Sequence, residues 1–298
     1  MPEIPDLAVY LDALERDAVG ERLERVRLAS PFLLRSVEPK LAELEGRKLL
    51  GLRRIGKRLV FELEGGDFLV LHLMIAGRFK WLDAGAKIPR KTGLAAFDFE
   101  SGTLLLTEAG SKKRASLHAV RGEEGLAAFD RGGLEVQGAS EEEFVAALTR
   151  ENRTLKRALT DPRILSGIGN AYSDEILHRA RLSPVQLTRN LDEDELARLF
   201  TCTVAALDEW TERLRGEAGE GWPKKVTAFR KEMAVHGRHG EPCPDCGTAV
   251  QRIVHAENET NYCPRCQTGG KLLKDRALSQ LLKKDWPRTI DELESAER

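Results

Sequence analysis

The absences in this chain narrow its class first. No apolar run approaches the roughly twenty residues that a membrane-spanning helix needs. The opening Met-Pro-Glu-Ile-Pro-Asp lacks the basic and apolar stretches of a secretion signal. The expectation is a cytoplasmic protein with no membrane partner. Cysteine is scarce: five in 298 residues, four of them in two C-x-x-C pairs, which suits a reducing compartment. Charge of one sign is also lacking, since a net charge of −1 gives no global push toward nucleic acid. No internal repeat or low-complexity linker is visible. With 41% hydrophobic and 32% charged residues, the chain reads as globular and long enough for two or three domains.

Periodicity then divides it. Leu7, Leu11 and Leu14 recur at helical spacing, predicting a helix over 6–17 with Pro5 and Asp6 at its start. From about 47 to 108 the texture alternates. Residues 59–63 and 68–72 flank Glu64-Gly65-Gly66-Asp67 as a hairpin, and 97–99 and 103–107 read as further strands. Near Gly138 the pattern turns helical, with Ser140 as an N-cap before Glu141. Helices are expected over 155–159, 171–179 and 193–210, a loop over 216–225, and either helix or strand over 226–235. The tail shows helical spacing at Leu272, Leu273, Leu278, Leu281 and Leu282. The fold class is α+β multidomain, led by a β-sandwich: 1–137 sandwich with a leading helix, 138–232 helical, 233–270 ribbon, 271–298 charged tail. Cys202 reads as plain core.

The cysteines stand as Cys243-Pro-Asp-Cys246 and Cys263-Pro-Arg-Cys266, with residues 247–262 between them. Two such knuckles suit one tetrahedral zinc, with a disulfide pair or free thiols as the alternative. A closed four-sulfur site is structural. Basic residues gather at Arg53, Arg54, Lys57 and Arg58, at Lys87, Arg90 and Lys91, and at Lys112, Lys113, Arg114, His118 and Arg121. Each cluster alone reads as a solvated face; together they allow a positive groove on a neutral protein.

Two motifs carry possible chemistry. Pro2 becomes a secondary amine once Met1 is removed. An α-amino group with a pKa of roughly 8 keeps a nucleophilic fraction near neutrality, and attack on a sugar carbon gives an iminium ion, an electron sink. Glu3 is placed to exchange protons. Taken alone, Met-Pro-Glu is weak. The second motif is Gly167-Ile168-Gly169-Asn170-Ala171-Tyr172-Ser173-Asp174-Glu175. Two glycines before a helix turn backbone N–H groups toward an anion, and Asn170 adds a donor; a well-capped helix start is the alternative.

Together with Gly56-Lys57-Arg58, His72-Leu73, and Val235 to Cys243 leading into Tyr262 to Gln267, these residues resemble the formamidopyrimidine-DNA glycosylase and endonuclease VIII family. The resemblance covers most of the chain and implies a sandwich, a helix–two-turn–helix domain and a zinc ribbon, with damaged double-stranded DNA bound by a monomer. It further implies a bifunctional glycosylase/AP lyase of base excision repair. In that reading Pro2 is the nucleophile, Glu3 the acid/base, and Lys57 lies near the flipped nucleotide. His72, Lys156 and Asn170 lie near the DNA backbone, and Cys243, Cys246, Cys263 and Cys266 hold one structural Zn²⁺.

The chain departs from the family pattern in several places. Ile75 stands where relatives carry a Met that fills the gap in the duplex, with Met74 one place earlier; strand alternation would point the two to opposite faces. Gly110 to Ser116 replaces an Arg- and Phe-bearing loop, so Arg114 stands in for one arginine and Ala115 supplies no aromatic wedge. Asn258 replaces an arginine, Asp6 a glutamate, and 216–226 does not match the segment that caps an oxidised purine. Alternatives are therefore oxidised pyrimidines or hydantoins as substrates, or a non-catalytic zinc-ribbon DNA/RNA-binding protein.

Overall fold

The computed structural model describes residues 1–110, 112–255, 258–275 and 287–296. They form two compact units: Met1–Arg131 with Trp210–Thr227, and Gly132–Glu209 with Ala228–Arg298. The division is thus not one cut in the sequence, because a segment after the helical region counts with the first unit.

In the first unit, helix α1 (Ile4–Asp17) precedes eight strands: β1 (Leu23–Leu28), β2 (Leu49–Ile55), β3 (Arg58–Leu63), β4 (Asp67–His72), β5 (Gly77–Leu82), β6 (Gly93–Phe99), β7 (Thr103–Glu108) and β8 (Ser116–Arg121), with a short α2 (Leu41–Leu44) after β1 and α3 (Gly122–Ala127) after β8. They make two four-stranded antiparallel sheets, ordered β1-β6-β7-β5 and β2-β3-β4-β8. Alternate residues Leu59, Phe61 and Leu63 of β3 face a core shared with Phe97, Phe99, Leu104 and Leu106. Each such side chain contributes roughly 1.5–3 kcal/mol by leaving water. Clean alternation fails on β3 and β4 because their other face is covered as well: Val60, Phe68 and Val70 pack with Val120 and Leu126.

The α1 stripe is buried as its spacing predicts, and Tyr10 is buried with it, its hydroxyl accepting from the N–H of Phe79 at 3.2 Å. Residues 219–227 are pinned to this unit. Trp222 stacks on Trp81 at 5.8 Å between centroids and donates its indole N–H to Asp17 at 2.7 Å.

The second unit holds α4 (Glu141–Thr149), α5 (Leu155–Thr160), α6 (Asn170–Ala180) and the start of α7 (Glu193–Ala218), then β9 (Gln251–His255) paired with β10 (Asn258–Tyr262), α8 (Pro264–Thr268) and α9 (Ile290–Ala296). Ser140 caps α4 reciprocally: Glu143 N–H donates to its Oγ at 3.2 Å, and its own N–H donates to the Glu143 carboxylate at 2.8 Å, satisfying two donors the helix leaves open. Helix α7 runs to Ala218, past the expected end at Trp210.

The segment 226–235 is neither helix nor strand. Val226, Met233 and Val235 are buried in this irregular stretch, which is held by side chains described below, whereas Phe229 is exposed. Leu272 and Leu273 are not helical; Leu278, Leu281 and Leu282 lie outside the described residues. Cys202 is half-buried rather than full core. Among the described residues, no helix is long and apolar enough to cross a membrane.

Candidate active site and metal centre

The amino terminus of the first unit is a built environment. Pro2 and Glu3 are buried, and Glu3 N–H donates to Asp6 Oδ2 at 3.1 Å, tying the terminus to the first turn of α1. Burial lowers the basicity of the terminal amine below its ordinary value; the fields of Glu3 and Asp6 oppose that shift, while Arg78 and Lys57 assist it.

Lys57 reaches this neighbourhood from the two-residue turn between β2 and β3, where Gly56 adopts φ +60° and Ile55 pairs with Arg58. Such tight hairpin turns need residues that tolerate positive φ.

His72 ends β4. Its Nδ1 accepts the Met74 N–H at 2.9 Å, which leaves the proton of the neutral ring on Nε2. Burial, with Arg58, Lys57 and the terminal amine, pushes its pKa down to about 4. The ring is therefore a neutral donor at physiological pH.

Met74 and Ile75 are not on a strand, which corrects the alternation expected for them. The chain reverses between β4 and β5: Met74 adopts φ +52°, and Gly77 N–H donates to Leu73 O at 2.9 Å. A Cβ at Gly77 would come within 2.3 Å of that carbonyl, so only glycine closes the turn. Ile75 sits at the apex, 54% exposed.

Arg114 lies on the loop between β7 and β8, fastened from beneath by the buried carboxylate of Glu108. That group accepts from the N–H of Arg114 at 2.9 Å and of Ala115 at 3.2 Å. The Arg114 side chain is exposed, whereas Ala115 is buried. Not every cation of the predicted clusters is available for a ligand. Arg53 pairs with Glu123 at 2.5 Å, and Arg121 bridges Glu43 and Asp67 at 2.9 and 3.2 Å.

In the second unit, Lys156 on α5 and Asn170 at the start of α6 come together around Asp174, which is 1% exposed. Lys156 Nζ donates to Asp174 Oδ1 at 2.5 Å and to Asn170 O at 2.7 Å. The other carboxylate oxygen of Asp174 meets His236 Nδ1 at 2.7 Å and the Asn261 N–H at 3.2 Å. Next along the helix, Glu175 accepts backbone N–H groups from Ala234, Val235 and His236 at 2.7, 3.0 and 2.9 Å. The Asn170 amide N–H donates to Glu259 O at 2.7 Å, so that donor serves the ribbon. Asp174, Glu175 and His236 lie within the motifs quoted above but were given no role of their own; two acids in the middle of an otherwise buried helix were the signal for such a network.

The sulfurs of Cys243, Cys246, Cys263 and Cys266 all lie within 4.8 Å of one another. Cys246 and Cys263 are 3.4 Å apart and Cys243 and Cys266 3.9 Å. A tetrahedron with Zn–S near 2.3 Å has edges of roughly 3.8 Å, so the four thiols fit zinc. His178 of α6 places Nε2 3.2 Å from Cys243 Sγ, an outer contact of the kind that orients metal ligands.

Three family models match the chain in order: the formamidopyrimidine-DNA glycosylase N-terminal domain over residues 1–112, the formamidopyrimidine-DNA glycosylase H2TH domain over 135–217, and the zinc finger found in FPG and IleRS over 240–269. The formamidopyrimidine-DNA glycosylase of Thermus thermophilus is 34% identical over 284 residues, covering 91% of this chain and 100% of that protein. The chain belongs to the formamidopyrimidine-DNA glycosylase family. Among solved structures it is similar to a Lactococcus lactis Fpg mutant with Fapy-dG containing DNA and to the wild-type Lactococcus lactis protein with oxidised pyrimidine containing DNA. Each has a TM-score of 0.79 and 26% identity, covering 90% of this chain and all of that one. Family membership accounts for the order of sandwich, helical domain and cysteine ribbon, and for zinc as the metal that suits the four sulfurs.

Proposed function

We propose that this DNA glycosylase of base excision repair is bifunctional, with AP lyase activity carried by Pro2. The observation that carries the proposal is the environment of the amino terminus: a terminal amine whose basicity desolvation lowers, next to buried Pro2 and Glu3, with Lys57 within electrostatic reach. Removal of Met1 makes the Pro2 nitrogen the terminal amine in that environment, and lowered basicity increases the fraction with a free lone pair.

The nitrogen attacks C1′ of the damaged nucleotide, the C1′–N bond to the base breaks, and the base leaves with a proton that Glu3 is placed to supply. The attached nitrogen gives up its proton, the C1′–O4′ bond breaks with O4′ taking a proton, and the opened sugar holds an iminium at C1′. The iminium acidifies C2′–H; loss of that proton and departure of the 3′ phosphate cut the strand. Lys57 and neutral His72, an Nε2–H donor, face phosphate oxygens. Ile75, at the apex of its turn, enters the gap left by the everted base, the use of an apolar wedge. Arg114 contacts the opposite strand, and Lys156 and Asn170 hold the backbone through the third ammonium N–H and the second amide N–H that Asp174, Asn170 O and Glu259 do not take. One structural zinc held by Cys243, Cys246, Cys263 and Cys266 keeps the ribbon folded.

On substrate, one feature favours breadth. Ala115 is buried and offers no aromatic wedge beside Arg114, which supports acceptance of oxidised pyrimidines or hydantoins as well as oxidised purines. Borohydride reduction in the presence of abasic-site duplex tests the chemistry. A covalent adduct whose DNA is attached at Pro2 is expected; its absence from correctly processed protein removes the enzymatic reading and leaves a DNA-binding one.

A further inference from the structure

The chain does not leave the ribbon where the matched zinc finger ends, at residue 269. Gly269 and Gly270 turn it, with φ +59° and +85°. Residues 271–275 then run back against β9 and β10. Leu273 N–H donates at 2.8 Å to the hydroxyl of buried Tyr262, the neighbour of Cys263. Buried Asp275 accepts the N–H of Val254 on β9 at 2.7 Å.

The segment 287–296 returns to the same place. Thr289 bridges Lys271 in antiparallel fashion. Leu272 N–H donates to Arg288 O and Ile290 N–H to Gly270 O, both at 2.9 Å. Ile290 is the apolar anchor: it is 1% exposed, and its Cγ2 would lie 4.0 Å from a Cβ built on Gly270. Helix α9 starts here with a cap of its own. Glu292 N–H donates to Thr289 Oγ1 at 3.2 Å, and the Glu292 carboxylate accepts the Arg288 N–H at 2.7 Å. Asp291 pairs with Arg265 of α8 at 2.6 Å.

These contacts all bear on α8. That helix carries Cys266 and has Cys263 as its N-cap, so both thiols of the second knuckle belong to it. Asp291 holds its first turn, and Ile290 covers the glycines that follow its end. The apolar core of the ribbon is small: Val235, Cys243, Val250 and Cys263, with Ala234 and Cys266 against it. A core of that size needs staples. The metal is one, and a returning chain fastened to the ligand-bearing helix is another.

We propose that the segment 287–296 is a latch on the second knuckle that slows release of zinc from the four cysteines. The latch rests on the zinc reading and not on Pro2, and it involves no covalent step.

The test is transfer of zinc from the full-length, zinc-loaded protein to an excess of chromophoric chelator. Ile290→Asp places a charge in the buried seat and should release zinc about tenfold faster than the parent. Ile290→Val keeps an apolar, branched side chain and should fall between the two. Asp291→Lys breaks only an exposed ion pair and should speed release by less than about fivefold. An Ile290→Asp rate equal to that of the parent overturns the latch. So does faster release that appears only together with loss of the strand signal of the sandwich in circular dichroism. Should Ile290→Asp fail to fold, Ile290→Ala decides by the same two readouts. Metal analysis separates the two readings: a parent that holds no zinc sinks the four-cysteine site, whereas a loaded parent with unchanged variant rates sinks the latch alone.

Discussion

The two units hold their functional side chains by different means. In the first, backbone geometry does the holding. Lys57 rides a two-residue turn, Ile75 a reversal closed by the contact of Gly77 with Leu73 O, and Arg114 a loop tied down through its N–H groups. In the second, side chains hold one another: Lys156, His236 and Asn261 converge on one buried carboxylate. Side-chain changes in the first unit should therefore alter function with little loss of stability, whereas in the second the two losses should come together.

Cys246→Ser should produce the largest effect. Structural zinc binding is worth roughly 10–16 kcal/mol, and α6 touches the cysteines through His178. Loss of zinc on metal analysis, loss of DNA binding and retention of the strand signal of the sandwich in circular dichroism are expected. Cooperative collapse of that signal as well would erase the contrast between the units.

Asp174→Ala comes next. It leaves the partly buried Lys156 ammonium and the buried His236 ring without their partner, and a buried charge that loses its counter-charge costs up to about 3–5 kcal/mol. Urea unfolding should show the loss, and Asp174→Asn, which keeps the shape and one acceptor, should recover part of it. If Asp174→Ala is as stable as the parent, the network is not what holds the second unit's binding residues.

His72 provides a smaller effect with a defined sign. Its pKa is about 4 in the folded protein against 6.5 for the free side chain. Below pH 6.5 the unfolded chain takes up a proton that the folded ring refuses, so stability falls as pH drops toward 4 and then levels. The full span is worth about 3 kcal/mol. His72→Gln should flatten that part of the stability–pH curve, measured by denaturant titration; an unchanged curve would mean that the ring is not buried as neutral imidazole. Smallest in stability is Ile75→Ala. The apex side chain is exposed, so melting should shift by less than about 0.5 kcal/mol, while affinity for a duplex with an abasic site should weaken.

The same contrast explains which features were readable in the amino-acid sequence. The Gly65-Gly66 hairpin, the Ser140 cap and the four cysteines are local patterns, each requiring particular residue types within a few positions. Family membership was legible for the same reason, because its motifs are short. The Asp174 network was not. Its partners lie 18, 62 and 87 residues away along the chain, and no spacing rule links them. For Met74 and Ile75 the residue types left a strand continued by alternation and an apolar wedge both open. The reversal depends on a backbone contact at Gly77 that residue polarity does not report. Residues 226–235 were apolar enough to suggest an element, yet Glu175 and Trp222 anchor this stretch and its flank from outside, so it needs no repeating conformation of its own.

That grip by Glu175 bears on how residues 234–236 can change. The carboxylate clasps only main-chain N–H groups of residues 234–236, and every amino acid except proline offers the same N–H. The three main-chain bonds to Glu175 do not depend on which side chains the strap bears, although Val235 also packs with Cys243, Val250 and Cys263. Half-buried Ala234 can therefore be exchanged on an unmoving mount, whereas the ring of His236 is tied a second time, to Asp174.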